Sequence, residues 1–147
     1  MRRFTVWKRK RRLLSSSTLK AYAGENNRVR IEKRLDVLFS KIIRLRDKKC
    51  VKCGKERNLQ CSHIFSRSNK SVRWDLSNAF CLDGGCHIFW WHKNPIEAVD
   101  FAQRHLGPEK YAALKMKAGF VIHRTKADLL FLEEQLEEKL KELQCSS

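Results

Sequence analysis

Two groups of metal-ligating side chains stand about thirty residues apart in this chain. Cys50 and Cys53 form a C-x-x-C knuckle in "KKCVKCGK", and the stretch "CLDGGCHIFWWH", residues 81–92, adds Cys81, Asp83, Cys86 and His87. Four thiolates or equivalent ligands hold a structural zinc ion, usually as two short knuckles brought together. One C-x-x-C alone is weak evidence, and its force comes from the second group. That group departs from the usual knuckle, because its cysteines sit five apart with an aspartate between them. Cys81 and Asp83 are therefore rival partners for Cys50, Cys53 and Cys86. His63, Asn78 and His87 follow one another in that order across the same region. A histidine that is neutral near pH 7 can accept a proton from water, so hydrolytic chemistry is within reach.

These residues need elements to position them. From Arg28 to Arg46, apolar residues fall at Val29, Ile31, Leu35, Leu38, Phe39, Ile42 and Leu45. Spacings of three and four predict an amphipathic helix with Arg and Lys on its other face. "CVKCG" is a tight turn closed by glycine. "LQCSHIFSR" then sets Leu59, Cys61, His63 and Phe65 on one face of a strand. A polar loop, "SNKSVRWDLS", leads to a second short apolar run, "NAFCL". After the paired glycines, "CHIFWWHKN" reads as a helix. "NPIE" supplies an N-cap, a proline at the first helical position and Glu97 three residues after the cap, so another helix starts there. Gly107-Pro108 ends it and opens the next, which runs toward Gly119. The tail "KADLLFLEEQLEEKLKEL" is a helix with Leu129, Leu132, Leu136, Leu140 and Leu143 on one stripe. Two heptads are too few for a coiled coil, so the stripe is expected to pack on the domain or on a partner helix.

Composition narrows the partners. The 147 residues carry 32 Lys and Arg against 16 Asp and Glu, a formal charge of +16. Such an excess attracts polyanions, of which nucleic acid is the commonest. No lipid anchor or membrane-spanning stretch favours a membrane surface instead. Residues 1–30 hold ten Lys or Arg and one acidic residue, Glu25. Residues 1–27 read as a flexible basic arm in which Arg9 and Arg11, within "KRKRR", would meet phosphates whatever the sequence. No apolar segment follows the basic N-terminus, so it does not read as a secretory signal. Six cysteines in an unsecreted chain point to a reducing compartment, where thiols serve metals.

The order His63, Asn78, His87 resembles that of the HNH, or His-Me finger, endonucleases, whose ββα-metal unit is named for such residues. The lead-in "LFSKIIRLRDKKCVKCGK" is also similar to that of the phage NinG/Rap recombination nucleases. The resemblance covers roughly residues 35–95. It implies an α+β fold with a small zinc-stabilised ββα-metal core flanked by helices. Residues 28–105 would form that core with its preceding helix, and residues 106–147 a C-terminal helical extension. It further implies a metal-dependent DNA endonuclease, phage or prophage encoded and active in the host cytoplasm on branched or recombining DNA. In the family pattern the Asn precedes the first knuckle cysteine by five residues. Counting from Asn78 reaches Asp83, and three further Cys86. The implied zinc ligands are therefore Cys50, Cys53, Asp83 and Cys86, with Cys81 as the alternative to Asp83.

His63 would be the general base, and His87 would bind a catalytic Mg²⁺ or Mn²⁺ ion that holds the scissile phosphate. Asn78 would orient the His63 ring or brace the loop. Arg67, Lys70 and Arg73 lie where the family grips the DNA backbone, and Lys93 is a further DNA contact. The chain departs from many such sites at Ser62, where an aspartate commonly precedes the histidine. His92 lies five residues after His87, off the same face of an α-helix by over a hundred degrees. It stays open as a phosphate contact or an exposed histidine. Trp74, Trp90 and Trp91 read as core. A zinc-stabilised DNA-binding module without catalysis is the alternative function. A homodimer or a recombination-protein partner through the C-terminal helix is the expected assembly.

Overall fold

The computed structural model describes residues 27–145. The basic arm, with Arg9 and Arg11, lies outside the described residues apart from Asn27. Helix α1, Arg28–Asp47, opens where the Asn27 side chain accepts the Val29 N–H at 3.0 Å. It closes at Lys48, which adopts the left-handed conformation with φ 60°. Ile31, Leu35, Phe39, Ile42 and Ile43 are buried along one stripe, as the spacing predicts.

A two-stranded antiparallel sheet follows, β1 at Leu59–His63 and β2 at Ala79–Asp83. Its register pairs Gln60 with Leu82, Cys61 with Cys81, Ser62 with Phe80 and His63 with Ala79. Opposed residues share a face. Cys61, His63, Ala79 and Cys81 therefore look toward α1, and Gln60, Ser62, Phe80 and Leu82 look the other way. The outer edge of β2 is covered by side chains and by the cysteine knuckle. Asp47 accepts the Cys81 N–H at 2.8 Å, Arg46 donates to the Ala79 carbonyl at 2.8 Å, and the Val51 N–H reaches the Cys81 carbonyl at 2.9 Å. Such cover removes the unpaired edge that would invite another strand.

After β2 the chain does not enter an ordinary α-helix. Cys86–Trp91 winds as a π-helix, in which the His92 N–H reaches back five residues to the His87 carbonyl at 3.3 Å. Helix α2, Pro95–Leu106, starts with proline in its first turn, yet the Asn94 side chain does not cap it. That side chain donates instead to the Trp90 carbonyl, 3.3 Å away. Gly107, with φ 84°, turns the chain into α3, Pro108–Ala118.

Helix α4, Lys126–Cys145, lies on α1. Thr125 and Asp128 cap its start reciprocally: the Thr125 N–H donates to the Asp128 carboxylate at 2.6 Å, and the Asp128 N–H to the Thr125 hydroxyl at 3.2 Å. Its leucine stripe closes one core cluster, with Leu129 and Leu136 buried beside Ile31, Leu35, Phe39, Trp74 and Cys81. Arg34 and Glu133 form a two-pronged ion pair at 2.5 and 2.8 Å across the same seam. The stripe thus packs on α1. A second cluster, with Phe80, Leu82, Trp91, Ala98 and Ala102, fills the other face of the hairpin. The architecture is α+β.

Candidate metal centre and histidine site

The cysteine knuckle hangs from the C-terminal end of α1. Gly54, at φ 76°, closes its turn in a conformation that side-chain-bearing residues rarely adopt. The π-helix start brings Cys86 round to it, and Asp83 enters from the end of β2. One ligand atom each from Cys50, Cys53, Asp83 and Cys86 lies within 4.8 Å of all the others, so the four could hold a metal ion together. Gly84 lets the chain pass: a Cβ there would collide with the Asn58 side chain. Cys81 is two residues from Asp83 but fully buried on the α1 face of the hairpin. Both project from the same face of β2, so position along the strand separates the two rivals. Cys81 sits mid-strand in the core, and Asp83 sits at the strand's end, where its carboxylate meets the Cys53 thiol. Burial pushes the Cys81 thiol up to about 11 and the Cys61 thiol up to about 12. Both behave as small apolar core residues.

The four candidate ligands are tuned quite differently. The Asp83 carboxyl is held well below the usual carboxylate range, chiefly by the thiol of Cys53, which donates to it at 3.0 Å, and then by that of Cys86. Burial raises the Cys86 thiol, and hydrogen bonding to Asp83 adds to the rise. Burial also opposes ionisation of Cys50. The N–H groups of Cys53, Asp83 and Lys52 aimed at its sulfur outweigh that cost and lower its pKa. A thiolate at Cys50 is therefore stabilised before any cation arrives.

Around His63, β1 and its following loop are tied by Asn78. That side chain is fully buried, accepts the Phe65 N–H at 2.8 Å and donates to the carbonyls of Phe65 and Val72 at 3.0 and 2.9 Å. Of the two roles expected for it, bracing the loop is the one its hydrogen bonds perform. The braced loop presents the Arg73 carbonyl to His63 Nε2 at 3.0 Å. A carbonyl only accepts, so Nε2 carries the proton and Nδ1 keeps a lone pair. The ring stacks on Phe39 of α1 with centroids 5.2 Å apart. Burial lowers the His63 pKa, keeping the ring neutral at pH 7.

His87 stands on the other side of the hairpin. Its Nδ1 meets Gln60 Oε1 at 2.7 Å, and its Nε2 lies 3.0 Å from Nε2 of His92. Burial, and then the neighbouring His92, lower its pKa. An α-helix would set His92 well away from His87; the π-helix brings the two rings to 4.6 Å between centroids. The reading of His92 as off the face of His87 is thus corrected. Gln60 was not singled out in the sequence, where an isolated strand glutamine carries no signal. Ser62 is fully buried, and its hydroxyl is the one buried side-chain polar atom without a partner among the described residues.

The basic residues expected on DNA have partners within the chain. Arg73 is largely buried and pairs with Asp36 at 2.6 Å and Glu32 at 3.4 Å, both on α1. Arg67 reaches Asp36 at 2.7 Å and Lys70 reaches Glu32 at 2.8 Å. Lys93 is exposed, over the Phe89 ring at 5.1 Å. Trp74 and Trp91 are core residues, whereas Trp90 is half-buried, with the Lys52 ammonium 3.5 Å from its ring centre.

Fold and site together define a small α+β protein with a three-cysteine, one-aspartate cluster able to hold a metal ion. Comparison of the chain with protein families, curated proteins and solved structures gave no match. No helix among the described residues is long and apolar enough to cross a membrane.

Proposed function

We propose that the chain is a metal-dependent DNA endonuclease built around a structural zinc ion. The observation that carries this reading is the pair of histidines His63 and His87. Each commits one ring nitrogen to a fixed partner, the Arg73 carbonyl or Gln60, and each has a lowered pKa. Both therefore keep an unprotonated nitrogen at neutral pH, one suited to accept a proton and one to bind a cation. They belong to a hairpin followed by a helical turn, as the resemblance to HNH endonucleases implies.

In this reading Cys50, Cys53, Asp83 and Cys86 hold zinc, which joins α1, β2 and the π-helix. Three thiolates and a carboxylate suit that ion, and no open ligand position is needed for a structural role. His63 takes a proton from water at Nδ1, while Asn78 and the Arg73 carbonyl hold its ring. A divalent ion at His87 would stabilise charge on the phosphate and on the departing 3′ oxygen. The charge of +16 draws the DNA backbone to the protein, and the N-terminal arm supplies much of it. A branched or recombining phage substrate, met in the bacterial cytoplasm, follows from the resemblance alone.

A second reading, a zinc-stabilised DNA-binding module, is favoured by one observation. The His63 ring packs on Phe39 of α1, on the hairpin face opposite Gln60 and His87. A plasmid-nicking assay separates the two. Conversion of supercoiled to open-circular DNA that needs a divalent ion and stops with chelator supports the endonuclease. DNA retardation without nicking, across a panel of divalent ions and of linear, forked and four-way DNA, supports the module.

A further inference from the structure

We propose that His87 and His92 form a second metal site, assembled by the π-helix, that takes a late first-row divalent ion such as Co²⁺, Ni²⁺ or Zn²⁺ in preference to Mg²⁺. Five residues of α-helix would turn the second ring by about 140° from the first. The wider turn of Cys86–Trp91, closed by the five-residue hydrogen bond from His92 to His87, cancels most of that rotation. A π-bulge inside a helix is often found where function requires a side chain to be redirected. Here it redirects an imidazole onto another imidazole.

Three observations point to a cation as the ligand. The first is distance. Two nitrogens bound side by side to one ion at 2.0–2.1 Å lie roughly 2.9–3.4 Å apart, and the two Nε2 atoms are 3.0 Å apart. In the metal-free protein a single proton bridges them. On binding, that proton leaves the shared position, and His92 carries its remaining N–H at Nδ1. The second is the hydrogen bond from His87 Nδ1 to Gln60 Oε1 at 2.7 Å. The amide oxygen accepts, so the proton of His87 sits on Nδ1 and the Nε2 lone pair faces His92. Such a partner on the far nitrogen is what orients an imidazole ligand. The third is access: His92 is exposed and His87 half-buried, which leaves other coordination positions for water or a phosphate oxygen.

The donor types set the ion. Gln60 and Ser62, on the strand face toward the π-helix, are neutral, and the cluster of ligating atoms around Asp83 uses that carboxylate already. Mg²⁺ favours carboxylate and water oxygens, whereas imidazole suits Zn²⁺, Ni²⁺ and their neighbours. The proposed ion class thus differs from the Mg²⁺ or Mn²⁺ of the expectation. The inference deepens the endonuclease reading by naming a second ligand and an ion class, and it rests on that reading only for the ion's catalytic use.

The test uses the tag-free full chain loaded with one zinc ion, titrated with Co²⁺ or Mg²⁺ by calorimetry and visible absorption, with zinc content followed throughout. The expected result is one Co²⁺ per chain beyond the zinc, without thiolate charge-transfer bands, and no comparable Mg²⁺ binding. His92→Ala should weaken Co²⁺ binding by more than tenfold, with the same zinc content and melting temperature. Gln60→Ala should weaken it by about tenfold, and Gln60→Glu should restore it. The proposal is overturned if no second Co²⁺ binds, if Mg²⁺ competes at equal concentration, or if His92→Ala binds Co²⁺ like the wild type. The same samples are then assayed for nicking. Co²⁺ bound at His92 without nicking would sink the endonuclease reading and leave this site standing; nicking by a wild-type protein that binds no second Co²⁺ would sink this site and leave the endonuclease reading standing.

Discussion

The cysteine cluster gathers ligands from three segments, two of those ligands nearly buried and Cys53 exposed, whereas the histidine site offers two rings from one turn and leaves the rest to solvent. Cys50 and Asp83 are almost fully buried, while His92 is exposed. A cross-link between distant segments contributes to folding; an open site with neutral, oriented nitrogens is suited to a changing ligand. The same short loop serves both ends, since Cys86 and His87 are adjacent in sequence and face different partners. Damage to one cluster should therefore appear in stability and damage to the other in chemistry.

The largest expected effect comes from breaking the cross-link. Cys50→Ser should abolish stoichiometric metal and lower stability by several kcal/mol, since structural zinc in small domains is bound with about 10–16 kcal/mol. Thermal melting with metal analysis reads both quantities. Undiminished metal and melting temperature would make the cluster incidental. A related contrast sharpens the ligand set: Asp83→Ala should lose metal, and Cys81→Ser should keep it while placing a hydroxyl in the core at a cost of about 1–3 kcal/mol. The reverse pattern of metal content would exchange their roles.

Asn78→Ala comes next. Three buried hydrogen bonds disappear, which should cost about 2–4 kcal/mol in denaturant unfolding. The loop carrying the Arg73 carbonyl would loosen with it. Gly84→Ala should cost about 1–3 kcal/mol, because its new methyl group meets the Asn58 side chain. An unchanged melting curve would mean that Asn58 yields freely.

The smallest stability effect is that of pH on His63. Its folded pKa lies below its ordinary 6.5 because burial disfavours the charged ring. The unfolded chain therefore takes up a proton first as pH falls. The stability this imposes is full above the ordinary value and declines as pH drops from 6.5 toward the lowered value. His63→Gln should flatten that part of a plot of melting temperature against pH. An identical slope in the variant would mean that His63 is not held neutral by the fold.

Much of this arrangement was legible in the residues. The stripe of α1, both strands, the glycine-closed knuckle and the start of α2 at Pro95 follow from spacing and turn chemistry. The choice of Asp83 over Cys81 was legible through a register borrowed from a resemblance; the physical reason is place along β2, with Cys81 mid-strand in the core and Asp83 at the strand's end beside the knuckle. The partner of the leucine stripe was not legible, because period alone does not say which apolar face it meets. His92 was hidden for a different cause. A helix read at 100° per residue separates it from His87, and nothing in "CHIFWWH" announces a π-helix. Gln60 was hidden because its role depends on a pairing across the hairpin. Arg67, Lys70 and Arg73 read as DNA contacts, and nothing in the sequence showed that Asp36 and Glu32 on α1 engage them.

The most direct test of the proposed endonuclease activity is the nicking rate of His63→Ala beside its DNA affinity and zinc content. A general base acts in the transition state, so the account predicts a fall of about 10²–10⁴ in rate, with affinity and zinc close to those of the wild type. Nicking at wild-type speed by a folded, zinc-loaded His63→Ala protein would contradict it.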